Sequence, residues 1–164
     1  MIIRKLEAQD EEKLENLIRE VEKGLVDETF WLPINETSRT HFFDDEWTYF
    51  LGAFEEDRLV GAVGLFLNKN EYEESQKILE IDDRNLAEYG RAMVSPEFQN
   101  QGIMKELLIQ LLEYAKKMGV ERVIATVHPN NISSQSVVKK MGFQKMAFVT
   151  KLNKYDRDIF LKEL

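Results

Sequence analysis

The chain has no cysteine, and it has only two histidines, His41 and His128, among 164 residues. Without cysteine there can be no thiol nucleophile, no thiolate zinc site and no iron–sulfur cluster. Two histidines make a histidine-rich metal centre improbable, so we expect chemistry that uses no metal. The absence of cysteine also suits the reducing cytosol, and we therefore expect a cytoplasmic protein.

Long apolar runs and clustered cations are missing as well. No stretch approaches the roughly 20 apolar residues that a membrane span requires, so we expect no membrane partner. The formal net charge of −8 argues against a nucleic-acid partner, because affinity for a phosphate backbone rests on clustered lysine and arginine. A cationic substrate would suit this charge, although many acidic proteins are acidic only for solubility.

The first half of the chain alternates between strand and helix patterns, within what we expect to be a single domain over residues 1–164. A short strand at the N-terminus precedes an amphipathic helix, for which Asp10 offers a side-chain cap. Residues 24–46 have no clean period and predict one or two short helices. Residues 47–54 and 59–67 predict an antiparallel hairpin, and the acidic insert at 68–85 predicts a solvated loop or a loosely held helix.

The second half has the clearer pattern. Leu86 to Val94 predicts a strand, and the next helix has apolar residues at helical spacing and ends where Gly119 suits a left-handed cap. The apolar run Val120 to Val127 predicts a strand buried on both faces, which completes a βαβ unit. A further helix, Asn131 to Met141, is followed by the last strands, residues 143–150 and 159–161.

The junction between the strand ending at Val94 and the following helix has the chemistry of an anion site. The strand stops near Pro96, and a loop centred on Gly102 opens the helix. A helix has free N–H groups and a partial positive charge in its first turn, so it offers phosphate oxygens hydrogen-bond donors. Glycine, having no Cβ, lets a ligand approach the main chain. An ordinary strand-to-helix turn is the alternative.

Two segments with one helix and one strand between them connect this junction to a known family. The first is Gln99-Asn100-Gln101-Gly102-Ile103-Met104, which matches the pattern Gln/Arg-x-x-Gly-x-Gly/Ala except that Met104 replaces the final small residue. The second, from Asn131 to Phe143, is similar to an Asn-x-x-Ala/Ser helix that ends in Lys-x-Gly-Phe. Together with the order of elements, they resemble the GNAT acetyltransferase superfamily. The resemblance implies an α/β, GNAT acyl-CoA N-acyltransferase fold, in which a mixed central sheet with splayed strands is flanked by helices.

The resemblance also implies which residues bind the acyl donor, acetyl-CoA. Main-chain groups at the splayed strand end would bind the pantetheine arm, the loop amides would hold the pyrophosphate, and the Asn131 helix would close the site from the other side. The expected cofactor-binding residues are Ala92, Met93, Val94, Gln99, Asn100, Gln101, Gly102, Ile103, Met104, Lys105, Asn131 and Ser134. The alternatives are that Val94 is plain strand core and that Asn131 only caps its helix.

Acetyl transfer to an amine needs a proton acceptor, stabilisation of an oxyanion and a proton for the thiolate. We predict two catalytic residues. Glu88 resembles, by its place in the strand, the glutamate base of histone-acetylating relatives, and Val94 would present its N–H to the thioester carbonyl. The alternative for Glu88 is a solvated strand residue.

The proton donor is harder to place, because Val138 and Thr126 stand where relatives carry a tyrosine or a glutamate. We expect a water molecule or one of three tyrosines to supply the proton, or positioning alone to suffice. These tyrosines are Tyr89, Tyr114 and Tyr155. His128 is either a proton relay or a strand-end histidine bonded to the backbone.

The acceptor side is predicted only in outline. Four aromatic residues would form the acceptor wall or belong to the core, namely Phe30, Trp31, Phe42 and Phe43. Acidic residues of the insert would favour cationic amines if any of them lines the site. They are Glu71, Glu73, Glu74, Asp82 and Asp83.

The sequence therefore predicts an acetyl-CoA-dependent N-acetyltransferase that acts on a primary amine of a small molecule or peptide by direct transfer. The alternative is a catalytically degenerate CoA-binding sensor or scaffold. Another nucleotide-binding fold is disfavoured, because neither Gly-Lys-Ser/Thr nor Gly-x-Gly-x-x-Gly occurs. The sequence names neither the acceptor nor the oligomeric state, and both a monomer and a homodimer remain open.

Overall fold

The computed structural model describes every residue from Met1 to Leu164 and contains one seven-stranded sheet with helices on both faces. The strands are β1 (Ile2–Lys5), β2 (Thr48–Glu55), β3 (Arg58–Phe66), β4 (Leu86–Val94), β5 (Arg122–Val127), β6 (Gln144–Lys151) and β7 (Tyr155–Glu163). The helices are α1 (Glu11–Lys23), α2 (Glu36–Thr40), α3 (Lys69–Leu79), α4 (Ile103–Lys117) and α5 (Ile132–Lys140). None of them combines the length and the hydropathy that crossing a bilayer requires.

The sheet is mixed, which confirms the predicted α/β class. Its strand order is β1-β2-β3-β4-β5-β7-β6, and only β4 and β5 run parallel. The crossover between them is α4, as the βαβ pattern predicted. The chain then inserts β7 between β5 and β6, so residues near the C-terminus lie beside β5.

Alternating side chains along the strands build a separate core on each face. In β3, Val63 and Leu65 pack in a cluster of 20 buried residues that includes the apolar face of α4. Ala62 and Phe66 point to the other face and pack in a second cluster that includes α1. Gly61 lets α4 approach closely, since a Cβ there would lie 2.9 Å from Cγ2 of Ile103. The first turn of α4 is therefore held against the sheet.

The sheet opens between its two parallel strands. Residues Leu86–Tyr89 of β4 pair with Arg122–Ala125 of β5, and beyond Tyr89 the two strands no longer pair. The β3–β4 register shifts in the same region, where Arg91 has a positive φ of 51°. A bulge of this kind bends a strand and increases its twist. The outer half of β4 consequently follows β3 and leaves a V-shaped gap toward β5, so the expected splaying is confirmed.

The structure decides two local predictions, one about the acidic insert and one about Asp10. The acidic insert forms a helix, α3, whose Tyr72 and Ser75 are buried, so the loop alternative is wrong. The capping role predicted for Asp10 is also wrong. Its carboxylate does not bond the first turn of α1 but accepts hydrogen bonds from the guanidinium of Arg4, at 2.8 and 2.9 Å, and from the N–H of Glu7 at 2.8 Å.

Candidate active site

The V-shaped gap belongs to a cleft of about 620 Å³ that is lined from both faces of the sheet. The loop before α4 and the start of α5 line it on one face. The segment around Trp31, together with Glu71 of α3, lines it on the other face. A ligand can therefore reach from one face of the sheet to the other between the diverging strands.

The loop before α4 provides a row of unpaired donors. The backbone N–H groups of residues 100–105 have no hydrogen-bond partner in the protein, and the first helical bond runs from Glu106 N–H to the carbonyl of Gly102 at 3.1 Å. Asn100 and Gly102 both have positive φ, at 63° and 79°. A Cβ at Gly102 would meet nothing within 4 Å, so space lies open above this position. These donors, at the positive end of a 15-residue helix, suit a diphosphate.

The end of β4 offers a further donor to the gap. The N–H of Ser95 bonds the carbonyl of Val60 in β3 at 2.8 Å. Because successive N–H groups of a strand point to opposite sides, the N–H of Val94 points away from β3 and into the gap. By the same alternation Met93 faces β3, where it pairs with Ala62, and its side chain is 2% exposed in the second core cluster. Val94 is thus better placed than Met93 to bond a ligand.

The start of α5 forms another part of the cleft wall. The side-chain oxygen of Asn131 accepts from the N–H of Ser134 at 3.3 Å, so Asn131 does cap its helix, and both residues also line the cleft. His128 is bonded to the backbone, since its Nδ1 accepts from the N–H of Asn130 at 3.0 Å. The His128 ring lies 4.8 Å from the ring of Phe30. The backbone-bonded alternative for His128 is the one that the structure shows.

Glu88 lies in the cleft on the face of the sheet opposite α4, because its neighbours Ala87 and Tyr89 pack in the α4-side core. The residue is 9% exposed, and its carboxylate oxygens make no hydrogen bond within the protein but are not sealed from solvent. Burial raises the pKa of Glu88 to about 7; Lys151 opposes this rise and Glu71 adds to it. About half of the Glu88 carboxyls would be ionised near neutral pH, which suits a group that must accept a proton.

Three cations also line the cleft, and the sequence patterns did not single them out. Arg91 donates to the carbonyls of Leu32 and Pro33 and lies 5.3 Å from the centre of the Trp31 ring. Burial lowers the pKa of Arg91 to about 10, so it keeps its charge at neutral pH. The other two are Lys151 and Arg157. A sequence signal existed for Arg91, because it is the one charged residue between Tyr89 and Val94 in β4.

Several predicted residues lie outside the site. Tyr114 stacks on Tyr49 at 3.6 Å between ring centres, away from the cleft, and Tyr155 does not line the cleft either. Neither tyrosine can serve as the proton donor. Tyr89 does line the cleft, but burial raises its pKa well above the usual value, which makes it a weaker acid. Val138 is sealed in the core.

The aromatic and acidic predictions are each right in part. Phe30 and Trp31 line the cleft, whereas Phe42 is buried among the residues that pack on α1 and Phe43 lies against the same cluster. Of the five acidic residues of the insert, Glu71 lines the cleft and the other four do not. The condition for an acidic acceptor site is therefore met by Glu71 alone. Gln101 is the one loop residue that does not line the cleft.

Comparison with known proteins identifies the family. The model of the acetyltransferase (GNAT) family matches residues 12–143, so the chain belongs to the GNAT acetyltransferase family. The uncharacterized N-acetyltransferase YnaD of Bacillus subtilis is 41% identical over 58 residues, which are 35% of this chain and 34% of YnaD. The match thus spans about a third of that relative's length.

Solved structures of the same fold cover nearly the whole chain. Ribosomal-protein-alanine N-acetyltransferase from Brucella melitensis has a TM-score of 0.75 at 18% identity, with all of both chains covered. The PaiA N-acetyltransferase from Thermoplasma acidophilum, solved in complex with coenzyme A, has a TM-score of 0.68 at 24% identity and covers 99% of this chain and 98% of its own. At these identities the likeness establishes the GNAT fold.

Proposed function

We propose that the protein transfers an acetyl group from acetyl-CoA to a primary amine of a small molecule or peptide. The observation that carries this proposal is the row of unpaired N–H groups at residues 100–105, which begins α4 beside the gap between β4 and β5. A GNAT neighbour solved with coenzyme A supports the choice of donor. The absence of a metal from the reaction stays a prediction.

The donor would be held mainly by the main chain. The amides of residues 100–105 would bind the diphosphate, while Gln99 and the side chain of Lys105 lie at the same end of the cleft. The backbone of Ala92 and Val94 on one side, and Asn131 with Ser134 on the other, would bind the pantetheine arm. Acetyl-CoA would supply an activated thioester when bound, and this chain's residues would position it.

The chemistry then falls to Glu88 and Val94. Glu88 accepts the proton that the acceptor ammonium must lose, and the freed nitrogen lone pair forms a bond to the acetyl carbon. The N–H of Val94 donates to the acetyl oxygen as negative charge develops there. The carbon–sulfur bond breaks with its electron pair on sulfur, and the nitrogen loses a second proton as the amide forms. Water carries this second proton to the thiolate, so free CoA leaves as the thiol.

The donor site is tested with two glycines in the left-handed region, Gly102 and Gly119, at opposite ends of α4. Their φ values are 79° and 92°, and neither would have a neighbour within 4 Å of an added Cβ. Valine at either position should therefore destabilise the fold to a similar extent, but only Gly102→Val places a side chain where the diphosphate would bind. We expect acetyl-CoA to raise the melting temperature of the wild type and of Gly119→Val, and to bind Gly102→Val at least about tenfold more weakly by calorimetry. Equal affinity in both variants, or no binding to the wild type, would contradict the proposal.

A sensor or scaffold that binds coenzyme A without turnover is the second candidate. It is favoured by one observation: Val138, at the position where relatives carry a tyrosine, is sealed in the core. This position therefore offers no acidic side chain. Release of free CoA from acetyl-CoA in the presence of an amine panel separates the two functions. Binding of acetyl-CoA with no release above the rate in buffer would establish the sensor.

A further inference from the structure

We propose that the acceptor carries a carboxylate as well as its amine, as an amino acid does, and that Arg157 binds this carboxylate. The inference rests on the proposed acetyl transfer and names its substrate class. It follows from three observations about the acceptor end of the cleft: which residues meet there, how their charges balance, and which donors have no partner.

Strands from distant parts of the chain bring their side chains to one face. Ile124 of β5 and Ile159 of β7 pack together with Tyr72 of α3. Because side chains alternate along a strand, Thr126 and Arg157, each two residues away, face the same side of the sheet. The acceptor chamber is the part of the cleft on this face. It is lined by Trp31, Glu71, Glu88, Arg91, Lys151 and Arg157.

The charges in the acceptor chamber do not cancel, although the whole chain is acidic. Three cations face two carboxylates, and the Glu71 carboxylate already accepts from the hydroxyl of Ser38 at 2.5 Å. Glu88 is partly protonated at neutral pH, so cations outnumber ionised carboxylates among the lining residues. Outside the lining, Glu74 lies 3.4 Å from Lys151, and Asp156 and Asp27 favour the charge of Arg157. Burial lowers the pKa of Arg91. Glu88 and Glu71 oppose this lowering and Arg157 adds to it, so the two guanidiniums repel each other. An anion in the chamber would relieve this repulsion.

Arg91 and Arg157 differ in how many of their donors are engaged. Both terminal nitrogens of Arg91 bond carbonyls, those of Leu32 and Pro33, so Arg91 positions the segment around Trp31. Arg157 uses Nη1 for the carbonyls of Thr29 and Asp156, at 2.8 and 2.7 Å.

The remaining donors of Arg157 point to a ligand. Its Nε and Nη2 make no hydrogen bond within the protein and are not sealed from solvent, although the residue as a whole is only 3% exposed and lines the cleft. Two donors of one guanidinium are therefore open to a ligand in the cleft, and a carboxylate satisfies two such donors at once. Arg157 is therefore the anchor for the acceptor's carboxylate, with Lys151 as the nearby second charge.

The acceptor class is tested with matched pairs of amines and no change to the protein. Each pair is an amino acid and its amide, which differ in the carboxylate alone, and dipeptides and diamines form two further arms. We expect kcat/KM for the amino acid to exceed that for its amide at least about tenfold, which is the usual size of discrimination by one charged hydrogen-bonding pair. A preference for dipeptides over free amino acids would mean that the carboxylate bound by Arg157 belongs to a peptide. If the amides or diamines are turned over as well as the amino acids, the inference is wrong, while acetyl transfer stands.

The residue is tested with Arg157→Met and Arg157→Lys. We expect Arg157→Met to bring the ratio of amino acid to amide close to one, mainly through a higher KM for the amino acid, and Arg157→Lys to restore part of it. Acetyl-CoA binding serves as the folding control for both variants, because the diphosphate loop and Arg157 lie on opposite faces of the sheet. A ratio unchanged in a methionine variant that still binds acetyl-CoA would refute the role of Arg157.

A second measurement does not need turnover. N-acetyl amino acids, which carry the carboxylate of the expected product, should raise the melting temperature of the CoA-loaded protein, and the corresponding amides should not. If no CoA is released with any amine but this difference persists, acetyl transfer fails and the carboxylate site stands. If neither compound shifts the melting temperature and no amino acid is preferred, the carboxylate site fails.

Discussion

Replacing Glu88 by glutamine should make the protein more stable above neutral pH. The carboxyl group has a pKa of about 7 in the folded protein because burial disfavours its charge, against 4.5 in a solvated chain. Between these two values the folded state binds more protons than the unfolded state, so the free energy of unfolding falls as the pH rises. The loss is complete above pH 7 and corresponds to about 3 kcal/mol.

Glutamine has nearly the same shape and stays neutral at every pH, so Glu88→Gln should escape this loss. We expect the variant and the wild type to have similar melting temperatures at pH 4.5, and the variant to melt about 6 to 12 °C higher at pH 8.5, given the size of the chain. Scanning calorimetry and urea unfolding at pH 4.5, 6, 7 and 8.5 would trace the difference. Glu113→Gln, on the exposed face of α4, is the matched control and should change stability by less than about 0.5 kcal/mol at each pH.

A stability difference that does not grow with pH would refute this reasoning. It would show that Glu88 ionises at its ordinary pKa, so that its carboxylate is not held in a poorly solvated site. Glu88 would then no longer be distinguished from the exposed glutamates as a base for neutral pH.

Three further outcomes are expected. The wild-type pH–rate profile should fall below about pH 7, where Glu88 becomes protonated, and Glu88→Gln should have low activity without this acidic limb; a limb retained in the variant would assign it to another group. Arg4→Met should lower the free energy of unfolding by about 1 to 3 kcal/mol in urea at pH 7, because it leaves the 2% exposed Asp10 without its ion pair. The Arg4 guanidinium holds the pKa of Asp10 below its usual 3.8, so this stabilisation is present above that pH and should disappear as the pH falls through the lowered value; a difference that persists in acid would contradict the pairing. Gly61→Val should overpack the contact with Ile103 and lower the free energy of unfolding by about 1 to 3 kcal/mol. It should also weaken acetyl-CoA binding, because it displaces the first turn of α4. Calorimetry would measure the affinity, and an unchanged affinity would contradict this prediction.

The elements around the donor site were predictable because their signals are local. The strand pattern of Leu86 to Val94 has the bounds that β4 has, and the helical spacing after Gly102 identified α4 together with its Gly119 terminus. The gap beside β4 has no such signal. It depends on where pairing with β5 stops, and it was expected only from resemblance to GNAT proteins.

The acceptor chamber was not predictable in the same way. β7 spans nine residues, but the sequence predicted only 159–161, because its first half is rich in charged residues that are rare in strands. Nothing local shows that β7 inserts between β5 and β6, and this insertion is what brings Arg157 into the cleft that Glu88 lines. The choice between Phe30 and Phe42 as cleft or core residues likewise depends on packing between distant segments.

The donor half of the cleft depends less on side-chain identity than the acceptor half does. In the proposed site backbone N–H groups would hold the diphosphate, so Met104 can replace the small residue of the family pattern without removing a donor. The acceptor chamber is instead lined by charged side chains, so one substitution at Glu88 or Arg157 changes its charge. Proteins that share the Gly102 loop can therefore share a donor and still differ in acceptor. On this proposal the residues that decide the acceptor are those of the chamber, which only the three-dimensional arrangement of the chain brings together.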